Sequence, residues 1–419
     1  MEDLPVSPRR RWWIVGLLSA SIAINLVDRQ VLSVVAPVLR QQLSLSDTQY
    51  SYIIFAFQLG MLLGQVPAGL FLDAVGARLG FIIIVLFWSV VNGLTGFSRG
   101  LAELIGLRFL LGLAECGNYS GGIKVVANLF GSENRAQAGG IFNGGAQIGA
   151  IIAPPLVVLI TVHWGWRAAF FLPSALGLFW LLPWIRIFPR MNKVQASASG
   201  EPSERKSRQS RVSMKALLRN RQMIGLMLLR ATGGPLTSFY WYWLPEYLLH
   251  GRGMSLVTIG LVAWMPYLAG TVGNVSGGFF SDRLIKRGAS TDMSRKVSYI
   301  IGAILSSLSL TLPFIPSAWM AVAVICLIVF GNQWVTAIYI AMVGDLFPSE
   351  ITATVNGIGG VADSGMGMIT MLLTGIVIDH FSYFPVLIAA GILPVLSVLC
   401  IFFAIGRIAL VDISSFKSA

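Results

Sequence analysis

Apolar runs long enough to cross a bilayer alternate with short polar stretches along nearly the whole chain. A helix needs about 20 predominantly apolar residues to span the hydrocarbon. Such runs fall near residues 12–38, 48–72, 79–98, 102–128, 136–161 and 167–188, and again near 221–248, 255–281, 297–315, 318–343, 352–378 and 383–406. The pattern predicts an all-α membrane protein with twelve transmembrane helices, six before and six after one long polar stretch. That stretch, 189–220, is rich in Ser, Lys and Arg and reads as a flexible or interfacial linker. The chain is thus expected as a first half, 1–188, a basic linker, 189–220, and a second half with a short tail, 221–419.

The halves resemble each other. GLFLDAVGAR, from Gly69 to Arg78, returns as GFFSDRLIKRG, from Gly278 to Gly288, at an offset of 209 residues. LFGSENRAQAGG, ending span 4, returns as LFPSEITATVNG, ending span 10, at an offset of 217. One duplication explains both. Parallel six-helix repeats with a site at the bilayer midplane are a transporter architecture.

Composition agrees: 55% of residues are hydrophobic and 11% are charged, against about 25% charged in soluble domains. The net charge of +12 invites a nucleic-acid reading. Its placement argues otherwise. With a cytoplasmic N-terminus, 22 Lys/Arg lie in or beside cytoplasmic segments, and four, Arg40, Arg99, Arg167 and Arg252, lie outside. That bias predicts both termini in the cytoplasm. Cys116, Cys326 and Cys400 all fall in apolar spans without metal or disulfide spacing. No cleavable signal peptide is expected, because Arg9–Arg11 run into a span too long for one.

The candidate chemistry lies in charges that the spans contain. Asp28 and Arg29 sit together in INLVDRQVLSVV, and Arg108 and Glu115 share span 4. A charge at the bilayer centre costs roughly 2.5–3.5 kcal/mol on insertion scales and by default marks function. Buried acids beside arginines suit the movement of an anion coupled to protons or cations. His163, His250 and His380 all sit near helix ends, so Asp28 and Glu115 are the candidate proton carriers. The alternative is that both acids are locked in structural salt bridges. Arg29 is the first choice as substrate anchor, since a guanidinium fork matches a carboxylate; it could instead merely neutralise Asp28 or Glu115. Being adjacent, Asp28 and Arg29 point about 100° apart around their helix. Arg108 and Glu115, seven apart, share a face.

Arg230 in span 7 either reaches substrate or snorkels to the interface. Gly233, Gly234 and Pro235 after it are expected to kink the helix, and Tyr240 is the aromatic best placed to reach a ligand hydroxyl. Asn143 and Gln147 in span 5, Asn332, Gln333 and Trp334 in span 10, and Asp363 and Ser364 in span 11 are polar or aromatic positions in apolar surroundings. They serve either interhelical hydrogen bonds or a polyol substrate.

Gly69, Asp73, Gly76 and Arg78 make up G-x-x-x-D-x-x-G-x-R, and Asp282-Arg283 stands in a second copy. With twelve spans and a central linker, the chain resembles the major facilitator superfamily over nearly its full length. Span 1 with span 2, RFLLGLAECGNYSGGIKVVANLF in span 4 and FYWYWLPEYL in span 7 resemble the anion:cation symporter family, especially its hexuronate, aldonate and glucarate permeases. That resemblance implies proton binding at Asp28 and Glu115, substrate binding at Arg29, and function for Arg108. It also implies that Gly69, Asp73, Gly76, Arg78, Asp282 and Arg283 gate or latch the halves rather than bind ligand. Three departures bear on the substrate. Met61 replaces a tyrosine of some relatives, Ala146 replaces an amide with Gln147 beside it, and Arg230 stands where hexuronate-type relatives often have lysine.

The expectation is a bacterial inner-membrane symporter that moves a small organic anion, a sugar acid foremost, with protons by alternating access. A monocarboxylate or aromatic-acid symporter is the alternative, and a non-transporting membrane sensor a more distant one. No enzyme, cofactor, metal or nucleic-acid partner is expected. Membrane lipid is, and so is a monomer.

Overall fold

The computed structural model describes residues 7–130, 132–188 and 214–411, apart from a few side chains within them that include that of Asp73. Most of the expected linker, residues 189–213, lies outside the described residues. The helices in order are α1 (Pro8–Leu43), α2 (Asp47–Val75), α3 (Ala77–Thr95), α4 (Leu101–Leu129), α5 (Ser132–Trp164) and α6 (Trp166–Ile187). After a six-residue helix, Met214–Arg219, come α7 (Arg221–Tyr242), α8 (Leu256–Val262), α9 (Met265–Lys286), α10 (Thr291–Ser307), α11 (Ala318–Leu346), α12 (Ser349–His380) and α13 (Tyr383–Cys400). Each expected span is helical. Span 8 is interrupted at Ala263–Trp264, which separates α8 from α9. Among the described residues, nine helical stretches are long and apolar enough to cross a membrane by length and composition. Of the remaining spans, α2 and α4 have 29 residues each and α7 has 22, enough for about 33 Å or more at 1.5 Å per residue.

Local signals set the boundaries. Ser46 and Gln49 form a reciprocal capping box that starts α2. One residue, Gly76, joins α2 to α3 at φ +86°. That backbone excludes most side chains, which accounts for the motif glycine. Ser255, Ser290 and Ser317 cap α8, α10 and α11 through their hydroxyls.

The chain forms two compact units. The first holds α1–α6 and α8; the second holds α7 and α9–α13. In the first unit, α1 packs on α5 and α2 on α4. A Cβ at Gly145 or Gly149 would strike the carbonyls of Ser19 or Ala23, and one at Gly60 or Gly112 would strike those of Phe109 or Phe57. Small residues therefore let these backbones touch, the main route to helix association in lipid. Trp88, Trp166 and Trp184 are fully buried, and Trp180 stacks on Trp184 at 4.9 Å. In the second unit, α9 packs on α11 and α7 on α12, around a core that includes Leu226, Tyr299, Tyr339, Met342 and Phe347. Large apolar side chains such as Leu70, Phe179, Val275 and Phe279 stay exposed, as a membrane-spanning helix allows.

Candidate functional site

The contact of α1 with α4 brings four charged side chains together in the first unit. Asp28 and Arg29, mid-way along α1, diverge towards different neighbours. Arg29 Nε donates to Glu115 Oε2 at 2.8 Å, and its Nη2 lies 3.6 Å from Met61 Sδ. Its guanidinium carbon stands 5.7 Å from the centre of the Phe57 ring. Glu115 is fully buried while the Arg29 side chain keeps 24% of its surface open. Asp28 turns to α3, where Asn92 Nδ2 donates to its Oδ1 at 2.6 Å. Asn92 also lies within donor reach of Phe170 O and Ser174 Oγ, at 3.2 and 3.3 Å. Arg108, one face and two turns from Glu115, is buried over the Phe170 ring at 5.2 Å.

These groups act on one another. Glu115, Arg108 and Arg29 are the charges that bear on Asp28, while Arg29, Arg108 and the amide of Asn25 bear on Glu115. Two carboxylates and two guanidinia sum to zero in the ionised state. A neutral set of this kind tolerates burial better than any odd count. An incoming carboxylate unbalances it by one charge, and one proton restores the balance. Neutral polar groups line the surroundings: Ser21 Oγ donates to Asn118 Oδ1 at 3.0 Å, and Gln30 Nε2 to Ala150 O at 3.4 Å.

The second unit holds its own pair. Arg230 Nη1 lies 3.8 Å from Asp363 Oδ2, with the guanidinium carbon 4.6 Å from the centre of the Tyr339 ring. Gly234, one turn on, lets α7 approach the Asp363 backbone on α12, where a Cβ would clash. Beyond it, Thr237, Tyr240, Asn332 and Gln333 line a small cleft with Trp241 and Tyr267. Tyr240 Oη reaches Ser309 Oγ at 3.4 Å, and Asn332 Nδ2 donates to Thr237 Oγ1 at 2.7 Å.

Other sequence candidates fall elsewhere. Trp334 is buried with Nε1 donating to Ser298 O at 2.8 Å, and packs on Phe280 and Phe330. Its single polar atom is committed to that contact. Asn143 is exposed on α5 and bonds back to Gly139 O at 3.0 Å; Gln147 is exposed one turn on. Ser364 is half-buried beside Asp363 on α12. Arg78 Nη2 donates to Ile185 O at 2.7 Å, and Gly69 lies in α2 with open space where a Cβ would stand. The side chain of Asp73 lies outside the described residues. Asp282 pairs not with its neighbour Arg283, which is exposed, but with Arg295 Nη1 at 3.0 Å. Arg295 Nε also donates to Asp345 Oδ2 at 2.7 Å. Among the described residues, no three His, Cys, Asp or Glu side chains converge as a metal would require.

Sequence reasoning missed Asn92, Tyr339, Arg295 and Asp345. For the last two a signal existed. The 217-residue offset that aligns Leu129 with Leu346 also carries Arg78 onto Arg295 and Asn128 onto Asp345. For Asn92, an amide in the apolar run WSVVNGLT, nothing distinguished a site partner from an interhelical bond.

The sequence profile of the Major Facilitator Superfamily matches residues 18–291 and 288–412. A "Probable galactarate/D-glucarate transporter GudP" of Bacillus subtilis (strain 168) is 32% identical over 392 residues, covering 88% of this chain and 85% of the relative. The "Hexuronate transporter" of Escherichia coli (strain K12) is 29% identical over 402 residues, 93% of each chain. A "D-galactonate transporter" of Escherichia coli O6:H1 is 26% identical, with 97% and 99% covered. Among solved structures, a bacterial homolog of the human lysosomal transporter Spinster, inward-facing and occupied, superposes with a TM-score of 0.81 at 16% identity, over 95% of this chain and 97% of that one.

Proposed function

The chain belongs to the Major Facilitator Superfamily, and from that premise we propose that it carries a sugar acid, of the hexuronate or aldonate type, across the bacterial inner membrane together with protons. It is a multi-pass membrane transporter and not an enzyme. The observation that carries the finer reading is the zero-sum cluster of Asp28, Arg29, Arg108 and Glu115. Arg29 is the only one of the four with an open surface, and its fork is engaged by Glu115, its one carboxylate partner among the described residues. Protonation of Glu115 weakens that ion pair and releases the guanidinium. The substrate carboxylate then takes the place of Glu115 on Arg29 through two parallel N–H donors. Asp28, held by Asn92, is the second proton position. Return of the proton to the cytoplasm restores the Arg29–Glu115 bond and expels the anion, so release and deprotonation are one event.

Relatives named for hexuronate, galactarate, glucarate and galactonate support a sugar acid over other anions. The hydroxyls are assigned to Tyr240 and Gln333, with Asn143, Gln147 and Ser364 as further positions and Arg230 as a second cation. Trp334, committed to Ser298, is assigned a packing role here. Both termini are cytoplasmic in this reading, and a monomer suffices.

One observation favours a second reading. The neighbours of Arg29 besides Glu115 are Met61 and Phe57, an apolar pair that suits a short monocarboxylate as well as a polyol. The test is uptake by the purified protein in liposomes under an imposed pH gradient, with labelled galacturonate, galactonate, glucarate and lactate. Concentration of at least one sugar acid that collapses with a protonophore supports the proposal. Uptake indifferent to the gradient overturns proton coupling, and lactate outcompeting every sugar acid overturns the substrate.

A further inference from the structure

Beside the start of α1 and the end of α6 lies a cleft of about 400 Å³, lined by Ser7, Arg9, Arg10, Trp13, Arg186 and Ile187. We propose that this cleft binds the phosphate headgroup of an anionic phospholipid. It lies wholly within the first unit and takes no part in the transport chemistry above.

Three guanidinia line the cleft without a carboxylate among the described lining residues, which suits an anion. The guanidinium of Arg10 is held in place, because its Nε donates to Ile187 O at 2.6 Å. That leaves the Nη edge of the fork for a phosphate, the geometry in which arginine binds it best. The same bond, with Arg78 Nη2 to Ile185 O at 2.7 Å, satisfies two of the carbonyls that end α6. The charges of Arg9 and Arg186 are not needed for that capping. They remain exposed.

A soluble phosphate would need only the arginines. Two features select a lipid. Trp13 is 59% exposed on the wall of the cleft, where an indole sits at the headgroup level of a membrane. From the cleft, Ile185, Leu182 and Phe179 run along one stripe of α6 at intervals of three residues, all exposed and all apolar. A headgroup in the cleft would lay an acyl chain along that stripe. Basic pockets between transmembrane helices next to such faces are lipid headgroup sites elsewhere.

Native mass spectrometry of the full chain in detergent tests the site by titration with phosphatidylglycerol, phosphatidylcholine and glycerol 3-phosphate. The wild type should bind phosphatidylglycerol at least tenfold more tightly than phosphatidylcholine. Each arginine near the surface contributes a factor of roughly five. Arg9→Gln with Arg186→Gln should therefore lose tenfold or more in phosphatidylglycerol affinity. Arg287→Gln, an exposed arginine of the second unit, should lose none. Glycerol 3-phosphate should not displace the lipid. If the double variant fails to fold, the single exposed change Arg186→Glu should by itself cost about tenfold. Equal affinity for the two lipids, or variants that bind as the wild type does, would overturn the site. Displacement by glycerol 3-phosphate would reassign it to a soluble phosphate and overturn the lipid.

Discussion

Arg29 and Glu115 are 86 residues apart in the chain, yet their side chains meet at 2.8 Å, with the acid fully buried and the base partly open. This is an asymmetric ion pair. The carboxylate is closed to solvent and paired with the partly open guanidinium, so whatever frees Arg29 must deal with the charge of Glu115. Arg29→Lys keeps the charge and loses the fork. It should raise the apparent substrate constant at least tenfold, about 1.4 kcal/mol, with normal yield of folded protein. Uptake kinetics decide it; an unchanged constant would remove Arg29 from substrate recognition.

Under the proposed mechanism, Asp28→Asn and Glu115→Gln would each remove a proton position while keeping shape. Gradient-driven accumulation should be abolished in both. Exchange of labelled for unlabelled substrate at equal concentrations should survive in at least one, because exchange does not require the proton to leave. A neutral variant that still concentrates substrate shows the carrier to be elsewhere.

In the proposed mechanism Asn92 acts as a positioning residue, through its contact with Asp28. Its amide donates to one carboxylate oxygen at 2.6 Å. Hydrogen bonds to charged groups contribute roughly 1.5–3 kcal/mol. Asn92→Leu removes the donor and should move the pH profile of uptake towards alkaline by one unit or more. Asn92→Gln or a simple packing loss would lower the maximum without moving the profile, so the profile is the deciding readout.

Arg295 joins two acids of unequal exposure: Asp345 is 26% open and Asp282 is 59% open. Exposed ion pairs contribute about 0–1 kcal/mol. Asp282→Asn should therefore barely move the melting temperature in detergent, while Asp345→Asn should lower it by several degrees. Equal shifts would mean that the bridge works as one network.

Tyr240→Phe and Gln333→Ala separate sugar acids from simpler anions. A buried hydroxyl left unpaired costs about 1–3 kcal/mol. Both variants should lose five- to tenfold or more in affinity for a sugar acid and little for any short monocarboxylate that the wild type accepts. Tolerance of both changes with unaltered sugar-acid uptake favours the monocarboxylate reading.

The sequence made the spans and the four central charges legible for physical reasons. An apolar run of fixed length has one use in lipid, and a charge inside it has to be explained. Arg29 and Glu115 were visible because each is expensive where it stands. The sequence leaves open which acid Arg29 takes as its partner, because that depends on how α1 packs against α4 and on which way α1 is turned. Asn92 and Tyr339 stayed hidden because a single amide or phenol in a span is cheap, and only the distance to Asp28 or Arg230 gives it meaning. That Asp282 pairs with Arg295 was not legible, because Arg295 lies on the next helix across a loop and only the packing of α9 on α10 brings the two together. The break in span 8 left no mark in hydropathy, since Ala263–Trp264 are as apolar as the residues around them.

That break has a consequence for anyone who would take the protein apart. From Met214 to Met254 the chain lies in the second unit, Ser255–Trp264 return to the first, and the second resumes at Met265. Gly260 of α8 sits against Val158 of α5 so closely that a Cβ there would collide with the valine. A cut in the central segment therefore does not release two self-sufficient pieces. The fragment carrying α1–α6 would present the bare Val158 surface of α5, and the other would carry α8 with nothing to rest on. Co-expressed, the fragments should reassemble by returning α8 to α5; expressed alone, the first should fail to accumulate.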